Sequence, residues 1–315
     1  MNGQVQAAGL PGAQAASGSD DKIWAALSHG SVVLLFIGPV VPLIMWTLQR
    51  KKSPYTAFQA LQAMIYQSLV FWLWITVIPL MMIVALLIAL AVMVAARPDS
   101  GAQPFAILAM QFAMFGTMFG SVLLFMAVGI AGAVASLMGR DFRYPFFGSR
   151  LARFLGYEGA AGPGLAEEKE DRIIAAVSHS TCVLLFWGIV TPVVAWITQH
   201  ERSAYVRFQS MQAAVYQAIG LLAYFGVMGL YVISMLGFMG MAMTLQSSSS
   251  SPSGEWVVAG MIPMLCVGTG VAVVLPLYHL FGFLGTLGTL RGKDFRYPIL
   301  GNIVAAKMKP TEPQA

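Results

Sequence analysis

Polar and apolar positions divide the chain into two runs of the same design. An apolar segment from Ile23 to Leu48 is interrupted by Gly38-Pro39 and Pro42, and basic Arg50-Lys51-Lys52 follows. A stripe of glutamines then opens a second apolar segment that continues to Ala96. After a short polar loop, Arg97 to Gln103, a third runs from Pro104 to Met138 and stops at Gly139-Arg-Asp-Phe-Arg-Tyr-Pro145. The same order then returns. Ser53-Pro-Tyr-Thr-Ala-Phe-Gln-Ala-Leu-Gln-Ala-Met-Ile-Tyr-Gln67 recurs as Ser203-Ala-Tyr-Val-Arg-Phe-Gln-Ser-Met-Gln-Ala-Ala-Val-Tyr-Gln217, and Asp141-Phe-Arg-Tyr-Pro145 as Asp294-Phe-Arg-Tyr-Pro298. Ser28-His29, Gly38, Pro42 and Trp46 have counterparts in Ser178-His179, Gly188, Pro192 and Trp196. Self-similarity of this kind marks a duplication. It predicts homologous halves over 20–147 and 170–301, a flexible cytoplasmic linker over 148–169, a disordered tail over 1–19 and a C-terminal tail over 302–315.

The second and third segments of each half are long enough for a tilted transmembrane helix with an extension into the headgroups. The first segment reads either as one span or as a hairpin broken at Gly38 to Pro42, and charge separates the two. As a hairpin it places all but one of the 18 Lys and Arg residues on one face of the membrane, with only Arg97 opposite. Basic residues concentrate on the cytoplasmic side, so the hairpin is favoured. Its arms, roughly 15 and 10 residues at 1.5 Å each, are too short for two ordinary spans. The expected fold is all-α and integral to the membrane. Each half is a broken (re-entrant or interfacial) helical hairpin followed by two long transmembrane helices. Both termini face the cytoplasm of a bacterium, and the loops 97–103 and 246–255 lie outside its inner membrane.

Composition agrees: 58% of the residues are hydrophobic, 10% are charged and mean hydropathy is +0.74, whereas soluble domains are nearer a quarter charged. The net charge of +5 belongs to short loops and sets orientation, so no nucleic-acid partner is expected. Residues 1–19 have neither the basic start nor the apolar core of a signal peptide. Cys182 and Cys266 lie far apart and read as plain thiols.

Three recurrent groups could carry chemistry. Gln59, Gln62 and Tyr66 share one helical face with Gln67 beside it, and Gln209, Gln212, Tyr216 and Gln217 repeat the arrangement. Their amides either satisfy backbone groups left open at the hairpin bend or line a polar path through the membrane; the structural role is favoured. His29 and His179 stand within apolar helices without a carboxylate at catalytic spacing, which suits a bond to a neighbouring Gln or backbone group better than acid–base work. Asp141, Arg143 and Tyr144, with Asp294, Arg296 and Tyr297, suit an interfacial anchor with a local Asp–Arg pair, or a docking point for a partner or anionic lipid. Met110, Met114 and Met118, and Met235, Met239 and Met243, have a spacing that thioethers could use for Cu(I). The two stripes do not correspond between the halves, and filling irregular packing is the simpler reading. Gly129 and Gly132 recur as Gly282 and Gly285, where helices can approach closely. No Walker loop, dinucleotide fingerprint, zinc motif or nucleophile elbow is present. No catalytic residue, cofactor or metal ligand is therefore expected.

The motifs Ala-Ala-Leu-Ser-His29, Pro42-Leu-Ile-x-Trp46, Lys52-Ser-Pro-Tyr55, Phe58-Gln-x-x-Gln-Ala63 and Phe142-Arg-Tyr-Pro145 resemble a bacterial membrane family, the domain-of-unknown-function family 4870. That family is similar to the small integral component of the chloroplast inner-envelope import translocon. The resemblance spans Asp20 to Gly301 as tandem copies and implies no established activity. The expected function is a non-enzymatic scaffold or accessory subunit, for membrane-protein insertion or complex assembly. Its partners would be membrane lipids and other membrane proteins or further copies of itself. The alternative is a channel or small-solute pathway between the halves.

Overall fold

The computed structural model describes residues 18–95, 102–184, 186–247 and 254–308, and their regular elements are all helices. The chain forms two compact units that divide between Glu170 and Asp171.

In the first unit, α1 (Ser19–Gly30) begins with Asp20 and Asp21 in its first turn, where carboxylates complement the helix dipole. A 3-10 stretch, Ser31–Ile37, leads to α2 (Val40–Gln49), whose first turn accommodates Pro42. Between the two helices Leu35 adopts φ 46°, ψ −107°, and the backbone reverses there. α3 (Pro54–Ala95) starts with Pro54, whose missing N–H costs nothing at that position, and the Ser53 hydroxyl caps it by accepting from Thr56 N–H at 3.2 Å. α4 (Ala102–Leu137) returns antiparallel to the base. It ends where Gly139, at φ 74°, donates to Ser136 C=O while Arg140 donates to Ala135 C=O. This double bond pattern needs a left-handed residue that glycine supplies without strain. α1 packs across α3 and α4, and α2 lies along α3.

The second unit repeats the plan: α6 (Glu167–Ser180, its first turn in the first unit), a 3-10 turn (Thr181–Leu184), α7 (Val190–Gln199), α8 (Ala204–Ser247) and α9 (Gly254–Leu290). Ser203 caps α8 as Ser53 caps α3, and Gly292, at φ 76°, ends α9 in the same bond pattern as Gly139.

Four stretches are long and apolar enough to cross a membrane: Pro54–Ala91, Ile107–Leu137, Ala204–Thr244 and Met261–Leu290. Within α3 the buried part is the beginning, from Tyr55 to Phe71, where α1, α2 and the end of α4 cover it. Farther along, Leu73, Leu80, Ile83 and Leu87 are all exposed, as are Phe115, Phe119 and Leu123 on α4. Each pair of long helices thus combines a packed base with an apolar shaft. From Leu69 onward α3 offers about 40 Å of helix, enough to cross the hydrocarbon layer with some tilt.

Two segments expected to be irregular contain helices instead. The expected linker 148–169 begins with α5 (Gly148–Leu155), which buries Leu151, Ala152 and Leu155, and its last residues start α6. The expected tail 302–315 is preceded and partly formed by α10 (Leu300–Met308), which packs on α8 and buries Gly301 and Val304. In both cases a few apolar side chains at helical spacing find a surface to cover. The loop centres 96–101 and 248–253, and the tails 1–17 and 309–315, lie outside the described residues.

Candidate functional site

The Gln stripe, the histidine and the Asp-Phe-Arg-Tyr-Pro element converge on one place in each unit. Gln59 and Gln62 rise from the first turns of α3, His29 from the last turn of α1, and the 141–145 segment crosses over them after α4 ends. His29 Nε2 lies 2.9 Å from Gln59 Oε1 and its Nδ1 lies 2.9 Å from the Tyr144 hydroxyl. Gln59 Nε2 donates to Asp141 Oδ1 at 3.1 Å and Phe142 C=O at 3.2 Å. Gln62 Nε2 donates to Gln59 Oε1 at 2.5 Å and Phe142 C=O at 2.7 Å, and Gln62 Oε1 accepts from Tyr144 N–H at 3.4 Å.

This network fixes the protons. Gln59 spends both amide hydrogens on Asp141 and Phe142, so its oxygen faces His29 and must accept. His29 is therefore neutral with its proton on Nε2, and Tyr144 donates to Nδ1. The two amides, the imidazole and the phenol thereby satisfy one another. Arg143 holds Asp141 through Nε and Nη2 at 3.2 and 2.8 Å, and Tyr66 stacks on Tyr144 at 4.1 Å.

The second unit reproduces each bond. His179 lies 2.9 Å from the Tyr297 hydroxyl and 3.0 Å from Gln209 Oε1. Gln209 donates to Asp294 and Phe295 C=O, both at 3.2 Å, and Gln212 donates to Gln209 and Phe295 C=O, both at 2.6 Å. Arg296 holds Asp294, and Tyr216 stacks on Tyr297 at 3.9 Å.

Burial has the electrostatic consequence expected of it. His29 and His179 are fully buried, and loss of hydration for the charged form pulls each pKa down to about 4, against the smaller opposing effect of the Gln bond. The same cause holds the Tyr144 and Tyr297 phenols well above their ordinary value. At neutral pH every member of the knot except the Asp–Arg pair is uncharged.

Gln67 and Gln217 serve the hairpin bend. Gln67 Nε2 donates to Ser28 C=O at 3.3 Å and to Ser31 Oγ at 2.9 Å, meeting a carbonyl that the end of α1 leaves open. Gln217 Nε2 donates to Ser178 C=O at 2.8 Å. The approach is close enough that a side chain at Gly38 would collide with Gln67 Oε1, and one at Gly188 would lie 2.9 Å from Gln217 Oε1. Glycines 132 and 285 do the same for histidine: an added Cβ would lie 3.1 Å from His29 Nδ1 and 2.9 Å from His179 Nδ1. These glycines bring helices together within a unit. Gly282 likewise sits against Cys182, whose thiol burial pushes up in pKa.

The methionine stripes join none of this. Met118, Met235, Met239 and Met243 are exposed on the shafts, and Cys266 is exposed on α9. Among the described residues no three His, Cys, Asp or Glu side chains come together as a metal ion would need.

Other contacts were hidden from motif reading. The Tyr55 hydroxyl donates to Arg140 C=O, and Tyr205 donates to Thr289 and Lys293 C=O, so the recurrent tyrosine of each Ser-x-Tyr ties α3 or α8 to the end of the returning helix. Its repetition was the available signal. Trp46 Nε1 donates to Glu170 at 2.7 Å, and Arg50 bridges Glu170 and Glu167 at 3.0 and 3.1 Å. No spacing announces a cluster whose members are 120 residues apart.

With this geometry in hand, comparison with known proteins gives one match. Residues 20–152 and 170–304 each match the magnetosome magnetite crystal formation protein family, and the chain belongs to that family as two tandem copies. The family expected from the motifs is thus replaced by this one, with the tandem arrangement retained. No curated protein and no solved structure matches the chain.

Proposed function

We propose, taking membership of this family as the premise, that the protein is a non-enzymatic scaffold in the membrane around a forming magnetite crystal. One observation carries the reading: the recurrent polar groups are committed to one another. His29, Gln59, Gln62 and Tyr144, and their counterparts in the second unit, are buried and mutually bonded, which locks each base instead of presenting an acid, a base or a ligand to a substrate. The same commitment removes the groups on which a polar path between the halves would depend.

In this reading the two bases lie at the inner interface and the four shafts cross the membrane. The broken hairpins are re-entrant or interfacial, and both termini are cytoplasmic. The exposed apolar side chains of Ile23, Leu27, Val33 and Leu34 support that placement, since they need lipid or a partner to cover them. Deleting the gene in a magnetite-forming host, and measuring crystals by electron microscopy, tests the proposal. Crystal size or shape should change and return with the wild-type gene. Unchanged crystals would sink the reading.

A further inference from the structure

The two units differ at one place where the repeat would have them agree. In the first, α5 ends at Gly156, whose φ of 71° turns the chain so that Tyr157 lies back over the base. The Tyr157 ring stacks on Phe58 at 4.1 Å and 9°, and its hydroxyl donates to Asp141 Oδ1 at 3.4 Å. Phe58 is completely buried in consequence, and the Asp141 side chain is only 10% exposed.

In the second unit the receiving groups are present without the tyrosine. Phe208 and Asp294 occupy the positions of Phe58 and Asp141, Gln209 donates to Asp294 as Gln59 does to Asp141, and α10 follows Pro298 as α5 follows Pro145. Gly156-Tyr157, however, correspond to Lys309-Pro310 in the sequence. Phe208 is only half-buried, the Asp294 side chain is 55% exposed, and the Arg296 guanidinium lies 5.4 Å from the Phe208 ring centroid. An aromatic face, a carboxylate oxygen and a mobile-length cationic side chain are thus held together by the same base that elsewhere seats a phenol.

We propose that the face formed by Phe208, Asp294 and Arg296 docks a tyrosine from another polypeptide. The incoming ring stacks on Phe208, its hydroxyl donates to Asp294 Oδ1, and Arg296 withdraws to the position that Arg143 holds in the first unit, paired only with its aspartate. The occupant's chemistry is given by the molecule's own example: a phenol after a flexible Gly turn, as in Leu155-Gly-Tyr-Glu-Gly159. The inference rests on the scaffold reading and names one contact through which a scaffold would hold its partner.

The probe is the blocked pentapeptide Leu-Gly-Tyr-Glu-Gly, compared with its Ala-for-Tyr analogue by saturation-transfer NMR on the full-length protein in detergent. The tyrosine peptide should bind about tenfold better, the scale of one stacked aromatic ring with its burial. That preference should disappear in Phe208→Ala and in Asp294→Asn. A third variant, Lys309→Gly with Pro310→Tyr, supplies the ring in cis and should also lose peptide binding while remaining folded. Equal binding of both peptides to the wild type, or a preference unchanged by these substitutions, overturns the proposal. Failure here with stoichiometric partners still isolated on the intact protein would remove this site and leave the scaffold reading standing.

Discussion

Protonating His29 would put a second N–H opposite Tyr144, which must then accept where it now donates, and would bury a charge. The folded pKa of about 4 lies below the ordinary value of 6.5, so the unfolded chain takes up the proton first. The stabilisation is fully present above pH 6.5, is lost progressively as pH falls, and is gone below about pH 4. Each histidine contributes about 3 kcal/mol across that window. Thermal unfolding in detergent should therefore move to lower temperature between pH 6.5 and 4, and the dependence should weaken when His29 and His179 are both replaced by Gln. At this scale the sequence was informative where the repeat isolated residues with no reason to recur in an apolar helix. It could not show that Tyr144 is the partner of His29, because the pairing depends on how the chain crosses back after Gly139.

Elements show the same division. The glycines look alike in sequence, yet a Cβ on Gly132 would meet the rings of His29 and Phe142 at about 3 Å, whereas nothing lies within 4 Å of one on Gly116. Gly132→Ala should cost about 1–3 kcal/mol by overpacking. Gly116→Ala should be neutral or stabilise the helix by up to about 1 kcal/mol. Melting temperatures of the two variants, measured side by side, check this. The long apolar helices were plain from length, and the bend from Gly38 and Pro42. Helix α5 was not, because eight residues with two arginines and a glycine at each boundary resemble a linker. Its signals were Leu151, Ala152 and Leu155 at helical spacing and the recurrence of Gly148 as Gly301.

For the whole molecule, the duplicated plan and the lopsided charge imply that both halves enter the membrane from the same side. A single cysteine at position 250, in a protein whose Cys182 and Cys266 are replaced by Ser, should react with an impermeant maleimide from outside intact spheroplasts. Labelling only after lysis would contradict the proposed topology. The second-unit tyrosine site came to light only by setting one half against the other in three dimensions, since Phe58 and Phe208 are the same residue in the same motif.

The central claim is that this chain acts by holding other molecules in a membrane, with its polar residues spent on its own rigidity. Native mass spectrometry of tagged protein isolated from its own membrane in mild detergent tests it most directly. The account predicts a stoichiometric complex with other membrane proteins or with further copies of this chain. A lone monomer at every gentle detergent condition would contradict it.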